Sequence, residues 1–337
     1  MPTPPAARVR VLVARKVFDQ TIEHLSQHFD VRHNQADAPW TQDELIRQLQ
    51  GIDGVFIAGG DAIDGKLLRA CPQLRAVCSM AVGYNNIDLD ACTARGVLVS
   101  NAPGVLTETT ADFGFALLLA AARRITESEH FLRAGQWQRW AHDMFAGADV
   151  HGSTLGVLGM GRIGQAIARR GALGFGMRVI YHNRSRLEPQ VESSLGARYV
   201  AKEALLREAD HLVLVLPYGP QSHHAIGAAE LALMKPSATL TNIARGGIVD
   251  DAALAAALRE RRIAAAGLDV FEGEPRVHPD LLALSNVVLT PHIGSASLPT
   301  RRAMAQLAAD NLIAALGAGP QAGAPPTALN PQVLARR

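Results

Sequence analysis

The chain alternates short apolar runs, rich in β-branched residues, with longer segments whose apolar residues recur at helical spacing. Short apolar runs separated by helical segments are typical of a parallel sheet, whose strands are buried on both faces. The predicted fold class is therefore α/β, with parallel sheets and connecting helices. The predicted strands lie at residues 9–14, 54–59, 76–81, 97–101, 154–159, 178–182, 211–217, 238–244, 265–270 and 287–292.

Three helical segments have distinctive patterns. Segment 106–124 begins with threonines and acids, which suit a helix N-terminus, and it is apolar nearly all round, so we expect a buried helix. Segment 250–262 has acids in its first turn and arginines in its last, as the helix dipole favours. The last helix is predicted at 301–316, and the Gly-, Pro- and Ala-rich tail at 317–333 is expected to be irregular.

Length and composition describe an ordinary globular protein. The 337 residues suggest two domains, and 48% hydrophobic with 19% charged residues gives ample material for a core. The net charge of +2, with both signs interspersed, gives no reason to expect nucleic acid or an anionic membrane as a partner. The longest apolar run, 113–122, is too short to cross a bilayer.

The N-terminus and the cysteines bear on the cellular compartment. The opening stretch, MPTPPAARVR, lacks the apolar region of a signal peptide. Cys71, Cys78 and Cys92 match neither metal-binding nor disulfide spacing, so we expect buried, reduced thiols. Both observations favour a cytoplasmic protein.

A glycine motif predicts a phosphate-binding turn. Gly159, Gly161 and Gly164 form G-x-G-x-x-G directly after a predicted strand and directly before a helical segment. In that context the first glycine permits a tight turn, the second lets a pyrophosphate approach the backbone, and the third lets helix and strand pack closely. Free N–H groups at the helix start attract phosphate. We therefore expect a dinucleotide site, the alternative being a glycine-rich turn without a ligand.

The end of the next strand bears on which dinucleotide binds. An acid there would hold the ribose hydroxyls of NAD and would repel a 2′-phosphate. This chain has Asn183, Arg184, Ser185 and Arg186 instead, and no Asp or Glu from 179 to 187. Charge-assisted donors suit a phosphate, which favours NADP(H) over NAD(H). The alternative is that the arginines are solvated surface residues of an arginine-rich chain.

Arg245, Glu274 and His292 follow later strands, and open α/β sheets bind ligands at the carboxyl ends of their strands. An arginine fork can hold a carboxylate, and a histidine can donate a proton near neutral pH. An acid beside that histidine stabilises its charged form. Taken singly, each of the three could equally be an ordinary loop or turn residue.

Longer stretches around these residues carry a family resemblance. The chain resembles the D-isomer-specific 2-hydroxyacid dehydrogenase family, collinearly from about residue 50 to residue 316. The motifs are SMAVGYNNIDLDACTARGVLVSNAPGVLTETTAD at 79–112, GMGRIG at 159–164, NIARGGIVDDAALAAAL at 242–258, AAGLDVFEGEP at 265–275 and NVVLTPHIGSAS at 286–297. Within the family, YHNRSR at 181–186 and the terminal LNPQV look most like bacterial glyoxylate/hydroxypyruvate reductases, including the branch that reduces 2-ketogluconate.

The resemblance implies a split fold. Two Rossmann-like or flavodoxin-like domains with parallel sheets are expected, the cofactor domain being inserted into a discontinuous substrate domain. Residues 1–103 and 294–337 would form the substrate-binding domain, and residues 104–293 would form the NADP-binding domain. Substrate would bind in the cleft, which would close around it.

The resemblance also implies a reaction: NADPH-dependent reduction of glyoxylate, hydroxypyruvate or 2-ketogluconate to the D-2-hydroxy acid. Arg245 would bind the substrate carboxylate and keto oxygen, His292 would donate the proton, and Glu274 would orient and charge His292. The backbone amides of Val82 and Gly83 would hold the far side of the carboxylate. The alternatives are a non-catalytic NAD(P)-sensing interaction protein and another family dehydrogenase, such as a short phosphoglycerate dehydrogenase.

Further residues are implied around the cofactor, with Asp269 at the nicotinamide carboxamide. No metal is expected, because the reaction requires none and no cluster of His, Asp or Cys is evident along the chain. The complete expected cofactor set is Thr110, Gly159, Met160, Gly161, Arg162, Ile163, Gly164, Asn183, Arg184, Ser185, Arg186, Leu216, Pro217, Ile243, Ala244, Arg245, Asp269, His292 and Gly294.

Residues 125–150 hold Trp137 and Trp140, two of the three tryptophans, together with Met144 and Phe145. The resemblance implies an arm that embraces a second subunit, and aromatic residues are enriched at interfaces. The alternative is that these aromatics belong to the core of the same chain. We expect a homodimer formed through the 125–150 arm.

Overall fold

The computed structural model of the chain describes residues 8–336. Most of the opening stretch that lacks a signal region therefore lies outside the described residues. The strands are β1 (Arg10–Val13), β2 (Asp30–His33), β3 (Gly54–Ile57), β4 (Ala76–Ser79), β5 (Leu98–Ser100), β6 (Thr154–Leu158), β7 (Arg178–His182), β8 (Ala197–Tyr199), β9 (His211–Leu214), β10 (Thr239–Asn242), β11 (Ala265–Leu268) and β12 (Val287–Leu289).

The helices separate the strands almost regularly. They are α1 (Asp19–Ser26), α2 (Gln42–Gln48), α3 (Gly65–Ala70), α4 (Leu89–Ala94), α5 (Thr107–Ala122), α6 (Ile125–Arg133), α7 (Arg162–Arg169), α8 (Pro189–Leu195), α9 (Lys202–Glu208), α10 (Ala228–Leu231), α11 (Asp251–Arg259), α12 (Pro279–Leu282) and α13 (Leu298–Ala315). A π-helical turn, Arg170–Gly174, extends α7, and a 3₁₀ helix, Pro331–Arg336, follows α13. None of the helices in the described part is long and apolar enough to span a membrane.

The chain forms two compact units. Unit 1 comprises Met1–Leu106 and Ser297–Arg337, and unit 2 comprises Thr107–Ala296. The units change at 106/107 and at 296/297, three residues after the changes expected at 103/104 and 293/294. Both changes coincide with the start of a helix. Thr107 opens α5, and Ser297 caps α13 by accepting a hydrogen bond from the N–H of Thr300 at 3.3 Å.

Unit 1 is built on a five-stranded parallel sheet of order β2-β1-β3-β4-β5. Successive residues of a strand face opposite sides, so the buried strands supply two cores. In β3, Val55 packs with residues of α2 and α3, whereas Phe56 packs with α13 residues such as Leu312. Unit 1 therefore has helices on both faces of its sheet.

Unit 2 contains a seven-stranded parallel sheet of order β12-β11-β10-β9-β6-β7-β8. The strand β6 has β9 on one side and β7 on the other, so the order of strands reverses there. Open sheets of this kind bind ligands at the reversal point, and the glycine motif follows β6 directly. The two parallel sheets confirm the predicted α/β class.

The predicted buried helix is also confirmed, since α5 buries eight of its residues. It lies very close to the sheet. A Cβ on Gly267 of β11 would come within 2.7 Å of the Leu117 side chain, so only glycine lets helix and strand approach so closely. The three cysteines are free and buried, as expected, and burial raises the pKa of Cys78 and of Cys92 to about 12.

Two strands and the tail differ from the expectations. The sequence did not predict β2 and β8, which are edge strands with exposed or partly exposed residues and no continuous apolar run. The tail is not simply irregular, because its Asn330 is buried and bonds to three groups of unit 1. The Asn330 amide accepts from the N–H of Val99 at 2.8 Å and donates to Val97 O and Thr93 Oγ1, both at 2.9 Å.

Candidate active site and dinucleotide cradle

The turn after β6 requires glycine at two positions. Gly159 has φ of 103°, and a Cβ there would lie 2.7 Å from the backbone nitrogen of Leu216. A Cβ on Gly164 would lie 2.2 Å from the carbonyl oxygen of Gly159, so α7 packs directly on the turn. The predicted roles of these two glycines, a tight turn and close packing, agree with this geometry.

Gly161 differs from the other two glycines of the motif. Within the described residues, no atom other than those of its chain neighbours lies within 4 Å of the position that its Cβ would take. It is the N-cap of α7 and provides no side-chain cap for the helix. The N–H groups of Arg162 and Ile163 in the first turn are therefore available to an anion. We call residues 159–164 the phosphate cradle, and their open backbone fits a pyrophosphate.

Asn183 closes the cradle from the end of β7. Its Oδ1 accepts a hydrogen bond from the N–H of Met160 at 2.6 Å, and its carbonyl accepts one from the Tyr199 hydroxyl at 3.3 Å. The side chain therefore fixes the glycine turn. The next two residues, Arg184 and Ser185, are exposed.

Arg186 has a partner that the sequence analysis missed. Its Nε and Nη2 donate to the carboxylate of Glu192 at 2.9 and 2.7 Å, and the Tyr181 hydroxyl donates to the same carboxylate at 2.5 Å. Glu192 is only 7% exposed. The hydrogen bonds from Arg186 and then Tyr181 outweigh burial and lower the pKa of Glu192. Arg186 is thus already neutralised by a buried acid, whereas Arg184 is not in this network.

The other candidate residues follow three neighbouring strands of unit 2. Arg245 lies just beyond β10, Asp269 directly after β11, and His292 three residues after β12. Because β10, β11 and β12 are adjacent and parallel, their carboxyl ends share one edge of the sheet. This edge brings the three side chains to one region, as the ligand-binding rule for open sheets predicts.

His292 and Glu274 form a hydrogen-bonded pair. Nδ1 of His292 lies 2.8 Å from Oε2 of Glu274, and Oε1 of Glu274 accepts from the N–H of Phe271 at 2.9 Å. Burial raises the pKa of Glu274, but the bonds from His292 and Phe271 and the charges of His292 and Arg245 outweigh it and leave the pKa lowered. The lowered pKa favours the ionised form of Glu274, and a carboxylate at this distance can stabilise a positive charge on the imidazole.

Arg245 is partly buried beside this pair. Its Nη1 donates to the carbonyl of Ala244 at 2.7 Å, and the side-chain amide of Asn242 donates to the Arg245 carbonyl at 3.3 Å. Burial lowers the pKa of Arg245, and the charge of Glu274 opposes that shift. Arginine stays protonated in proteins, so the site offers a fixed positive charge to an anionic substrate.

Asp269 holds the loop that carries His292. It is 2% exposed, and its carboxylate accepts from Thr290 Oγ1 at 2.7 Å, from the N–H of Ile293 at 2.8 Å and from the N–H of Gly294 at 2.7 Å. The family resemblance places Asp269 at the nicotinamide carboxamide, and it does not reveal that the same carboxylate also holds this loop. Three donors to one carboxylate make the position of His292 rigid.

Thr110 of α5 supplies a free donor in the same region. A Cβ on Gly294 would lie 3.6 Å from Thr110 Cγ2. The Thr110 hydroxyl is buried and has no hydrogen-bond partner within the described residues. A buried hydroxyl without a partner is uncommon and suits a bound polar group. The cradle and this hydroxyl together fit a dinucleotide.

The remaining expected residues are distributed as follows. Leu216 and Pro217 come after β9, where Leu216 is partly buried and Pro217 is exposed, while Ile243 is a buried residue after β10. In unit 1, Val82 and Gly83 lie in the loop after β4 and are partly buried. The side-chain amide of Asn101 donates to the Val82 carbonyl at 2.7 Å and fixes that loop.

The 125–150 segment begins with α6 and carries exposed tryptophans. Trp137 is 53% exposed and Trp140 is 72% exposed, so the alternative that they belong to the core of this chain is wrong. Phe145 instead packs on Phe131, with ring centroids 5.1 Å apart. Large exposed aromatics are what a subunit or ligand interface provides.

One cluster is not evident from the sequence, in which no group of His, Asp or Cys suggests a metal site. The fold brings His223, His224 and Glu272 together, with one ligand atom from each within 4.8 Å of the others. Glu272 is far from the two histidines along the chain, so no spacing motif reveals the cluster.

The chain is similar to known proteins over nearly its whole length. The NAD-binding domain model of the D-isomer-specific 2-hydroxyacid dehydrogenases matches residues 115–294. The chain is 46% identical over 329 residues to a glyoxylate reductase of Thermococcus onnurineus, with 96% of this chain and 97% of that protein covered.

Two solved structures are similar over nearly the whole chain. A protein from Thermus thermophilus has a TM-score of 0.86 and 40% identity, covering 95% of this chain and 100% of that one. The NADPH-dependent glyoxylate/hydroxypyruvate reductase of Sinorhizobium meliloti, in complex with NADP and malonate, has a TM-score of 0.84 and 35% identity, covering 96% of this chain and 98% of that one.

Proposed function

Because the chain belongs to the D-isomer-specific 2-hydroxyacid dehydrogenase family, as its motifs had suggested, we propose that it is an NADPH-dependent reductase of a small 2-keto acid. Glyoxylate, hydroxypyruvate and 2-ketogluconate are the proposed substrates, and a D-2-hydroxy acid is the product where the product is chiral. A relative named glyoxylate reductase and a structural neighbour described as an NADPH-dependent glyoxylate/hydroxypyruvate reductase support this choice.

The single observation that carries the proposal is the Arg245 guanidinium beside the hydrogen-bonded pair of His292 and Glu274. A fixed positive charge suits the carboxylate of a 2-keto acid, and the pair suits proton donation to the adjacent carbonyl oxygen.

The proposed chemistry divides between cofactor and protein. When bound, the reduced nicotinamide supplies a hydride to the substrate carbonyl carbon. Arg245 holds the substrate carboxylate and stabilises the negative charge that develops on the carbonyl oxygen. Nδ1 of His292 is engaged with Glu274, so Nε2 is the ring nitrogen that gives its proton to that oxygen. Glu274 stabilises the imidazolium before transfer.

The proposed cofactor contacts follow from the open backbone and the free donors. The phosphate cradle would hold the pyrophosphate, and the Thr110 hydroxyl and Asp269 would face the nicotinamide end. Arg184 and Ser185 would bind the 2′-phosphate of NADPH, with Arg186 in a lesser role because Glu192 already neutralises it. In unit 1, the amides of Val82 and Gly83 are proposed to bind the substrate carboxylate.

We further propose a cytoplasmic homodimer. The exposed Trp137 and Trp140 in the 125–150 arm support burial against a second subunit, since such side chains are enriched at interfaces. The free, buried cysteines agree with a reducing compartment.

A substrate panel tests the proposed reaction. Glyoxylate, hydroxypyruvate, 2-ketogluconate and 3-phosphohydroxypyruvate would each be offered with NADPH, and the products would be resolved on a chiral column. The proposal expects hydroxypyruvate to give D-glycerate. An L product would contradict it, and NADPH binding without turnover of any keto acid would favour the non-catalytic alternative. Preference for the phosphorylated acid would favour a phosphoglycerate dehydrogenase.

A further inference from the structure

Three side chains that can bind a metal converge in unit 2, apart from the residues assigned above. They are His223, His224 and Glu272, with one ligand atom from each within 4.8 Å of the others. Nε2 of His224 lies 3.0 Å from Oε2 of Glu272, and the two imidazole rings stack with centroids 3.9 Å apart. Two imidazoles and a carboxylate thus meet in a small volume.

The backbone fixes this arrangement from two loops. His224 has φ of 48°, and its N–H donates to the carbonyl of Gly247 at 2.7 Å, which joins the histidine turn to the loop after Arg245. The N–H of Glu272 donates to Asp251 Oδ2 at 3.0 Å. The cluster therefore exists without a large rearrangement of the chain.

Neighbouring oxygens orient both imidazoles. Asp250 Oδ2 lies 3.9 Å from Nδ1 of His224, and the Tyr218 hydroxyl lies 3.2 Å from Nδ1 of His223. Nε2 of His224 lies within hydrogen-bond distance of Glu272 Oε2, so a metal ion bound by both groups would displace a proton from Nε2. Histidines that bind metals commonly have such an oxygen partner on the second nitrogen.

We propose that His223, His224 and Glu272 bind a divalent transition-metal ion, with zinc as the representative ion and water as the fourth ligand. Two imidazoles with one carboxylate form a ligand set that zinc takes in proteins, whereas magnesium and calcium prefer oxygen ligands. Zinc–nitrogen distances of about 2.0–2.1 Å require the side chains to move closer. The exposure of His223 and Glu272 leaves them room to rotate.

Zinc at this cluster would join the histidine turn to the loop 271–274. Glu272 is two residues before Glu274, so the ion would restrain the loop that carries the acid paired with His292. A ligand that binds only the folded chain raises its stability. The site does not depend on the proposed reaction, and its test needs no turnover.

The test is calorimetric titration of zinc chloride into the full chain after treatment with a chelator. Wild type should bind one zinc ion per chain. Loss of a residue that hydrogen-bonds to a metal ligand weakens metal affinity by roughly 10- to 100-fold. Loss of a direct ligand should weaken it at least as much. His223→Gln, His224→Asn and Glu272→Gln should each show that loss. Asparagine is chosen at 224 because it tolerates positive φ.

Two variants serve as matched controls. His130 is an exposed histidine 3.9 Å from an acid, Glu129, outside the cluster, so His130→Gln should bind zinc like wild type. His292→Gln removes the hydrogen-bonded partner of Glu274 and should also bind zinc like wild type. Cobalt in place of zinc gives a second readout, because a four-coordinate site produces intense visible absorption that the three cluster variants should lack.

The melting temperature, measured with and without zinc, shows whether each variant is folded and whether zinc stabilises it. Wild type and both controls should gain stability with zinc, whereas the folded cluster variants should not. If His224→Asn fails to fold, the zinc affinities of His223→Gln and Glu272→Gln, both at exposed positions, test the proposal. Absence of saturable zinc binding to wild type would overturn the proposal, as would unchanged binding in the cluster variants or equal loss in His292→Gln.

Discussion

At the scale of single residues, the candidate active site depends on how neighbouring groups set the charge and position of His292. Glu274 contacts one ring nitrogen, and the Asp269 carboxylate accepts from the Thr290 hydroxyl before His292 and from the Ile293 N–H after it. Arg245 adds a positive charge that does not depend on pH in the range where histidine titrates. The proton donor is therefore the group whose titration should control the rate.

Replacement of His292 by Gln should lower the reduction rate by roughly 10² to 10⁴, the usual contribution of a positioned general acid. NADPH binding should persist, because His292 is proposed to act on the carbonyl oxygen and not on the phosphates. Steady-state rates and fluorescence titration of NADPH measure the two effects. A loss of only a few-fold would indicate a structural histidine.

The pH profile tests the pair of His292 and Glu274. Reduction needs protonated His292, so kcat/KM should be high at low pH and fall as pH rises and the imidazole loses its proton. The lowered pKa of Glu274 keeps this acid ionised across neutral pH. Glu274→Gln should therefore shift the alkaline fall to lower pH without abolishing activity. Glu260→Gln, at an exposed acid paired with Arg262, is the control and should leave the profile unchanged.

The two arginines of the 183–187 loop should respond differently to substitution. Losing a hydrogen bond to a charged group costs roughly 1.5 to 3 kcal/mol, so Arg184→Ala should weaken NADPH about ten- to a hundredfold and NADH little. Arg186→Ala should affect NADPH less and lower the melting temperature more, because it leaves buried Glu192 without its cation.

Binding constants for both cofactors and melting curves separate these effects. Arg198→Ala removes an exposed arginine of β8 that pairs with Glu208, and it should resemble wild type in cofactor binding. Equal losses of NADPH and NADH in Arg184→Ala would refute the assignment of the 2′-phosphate site.

At the scale of elements, central strands and the loops of the candidate site could be predicted because they carry continuous apolar runs and recognisable residue spacing. Two of the four edge strands, β2 and β8, could not, since they have fewer buried residues. Glu192 belongs to no motif in the sequence, and its pairing with Arg186 depends on how α8 packs beside β7. The cluster at 223, 224 and 272 likewise exists only through tertiary contacts.

The docking of the tail gives a prediction about stability. Asn330→Ala removes three hydrogen bonds to β5 and its neighbours, and each buried partner left unsatisfied costs about 1–3 kcal/mol. The free energy of unfolding should fall by at least that amount in urea titrations. Gln332→Ala, at an exposed position of the same tail, should have little effect. Equal free energies of unfolding for Asn330→Ala and Gln332→Ala would contradict a stabilising role for the Asn330 hydrogen bonds.

At the scale of the whole molecule, the exposed tryptophans should report on assembly. If Trp137 and Trp140 are buried against a second subunit, replacing both with Ser should shift the equilibrium from dimer to monomer. Sedimentation velocity over a range of concentrations measures this shift. Replacing the exposed Leu173, outside the 125–150 arm, with Ser is the control. A wild-type chain that sediments as a monomer at every concentration would contradict the proposed homodimer.

The most direct test of the central claim is the rate of glyoxylate-dependent oxidation of NADPH compared with that of NADH by wild-type protein. A 2′-phosphate held by Arg184 should give NADPH an advantage of about tenfold or more in kcat/KM, from the hydrogen-bond energy of roughly 1.5 to 3 kcal/mol. Saturable turnover with that preference is the predicted result. Turnover that is equal with both cofactors or faster with NADH would contradict the claim, as would no turnover at all.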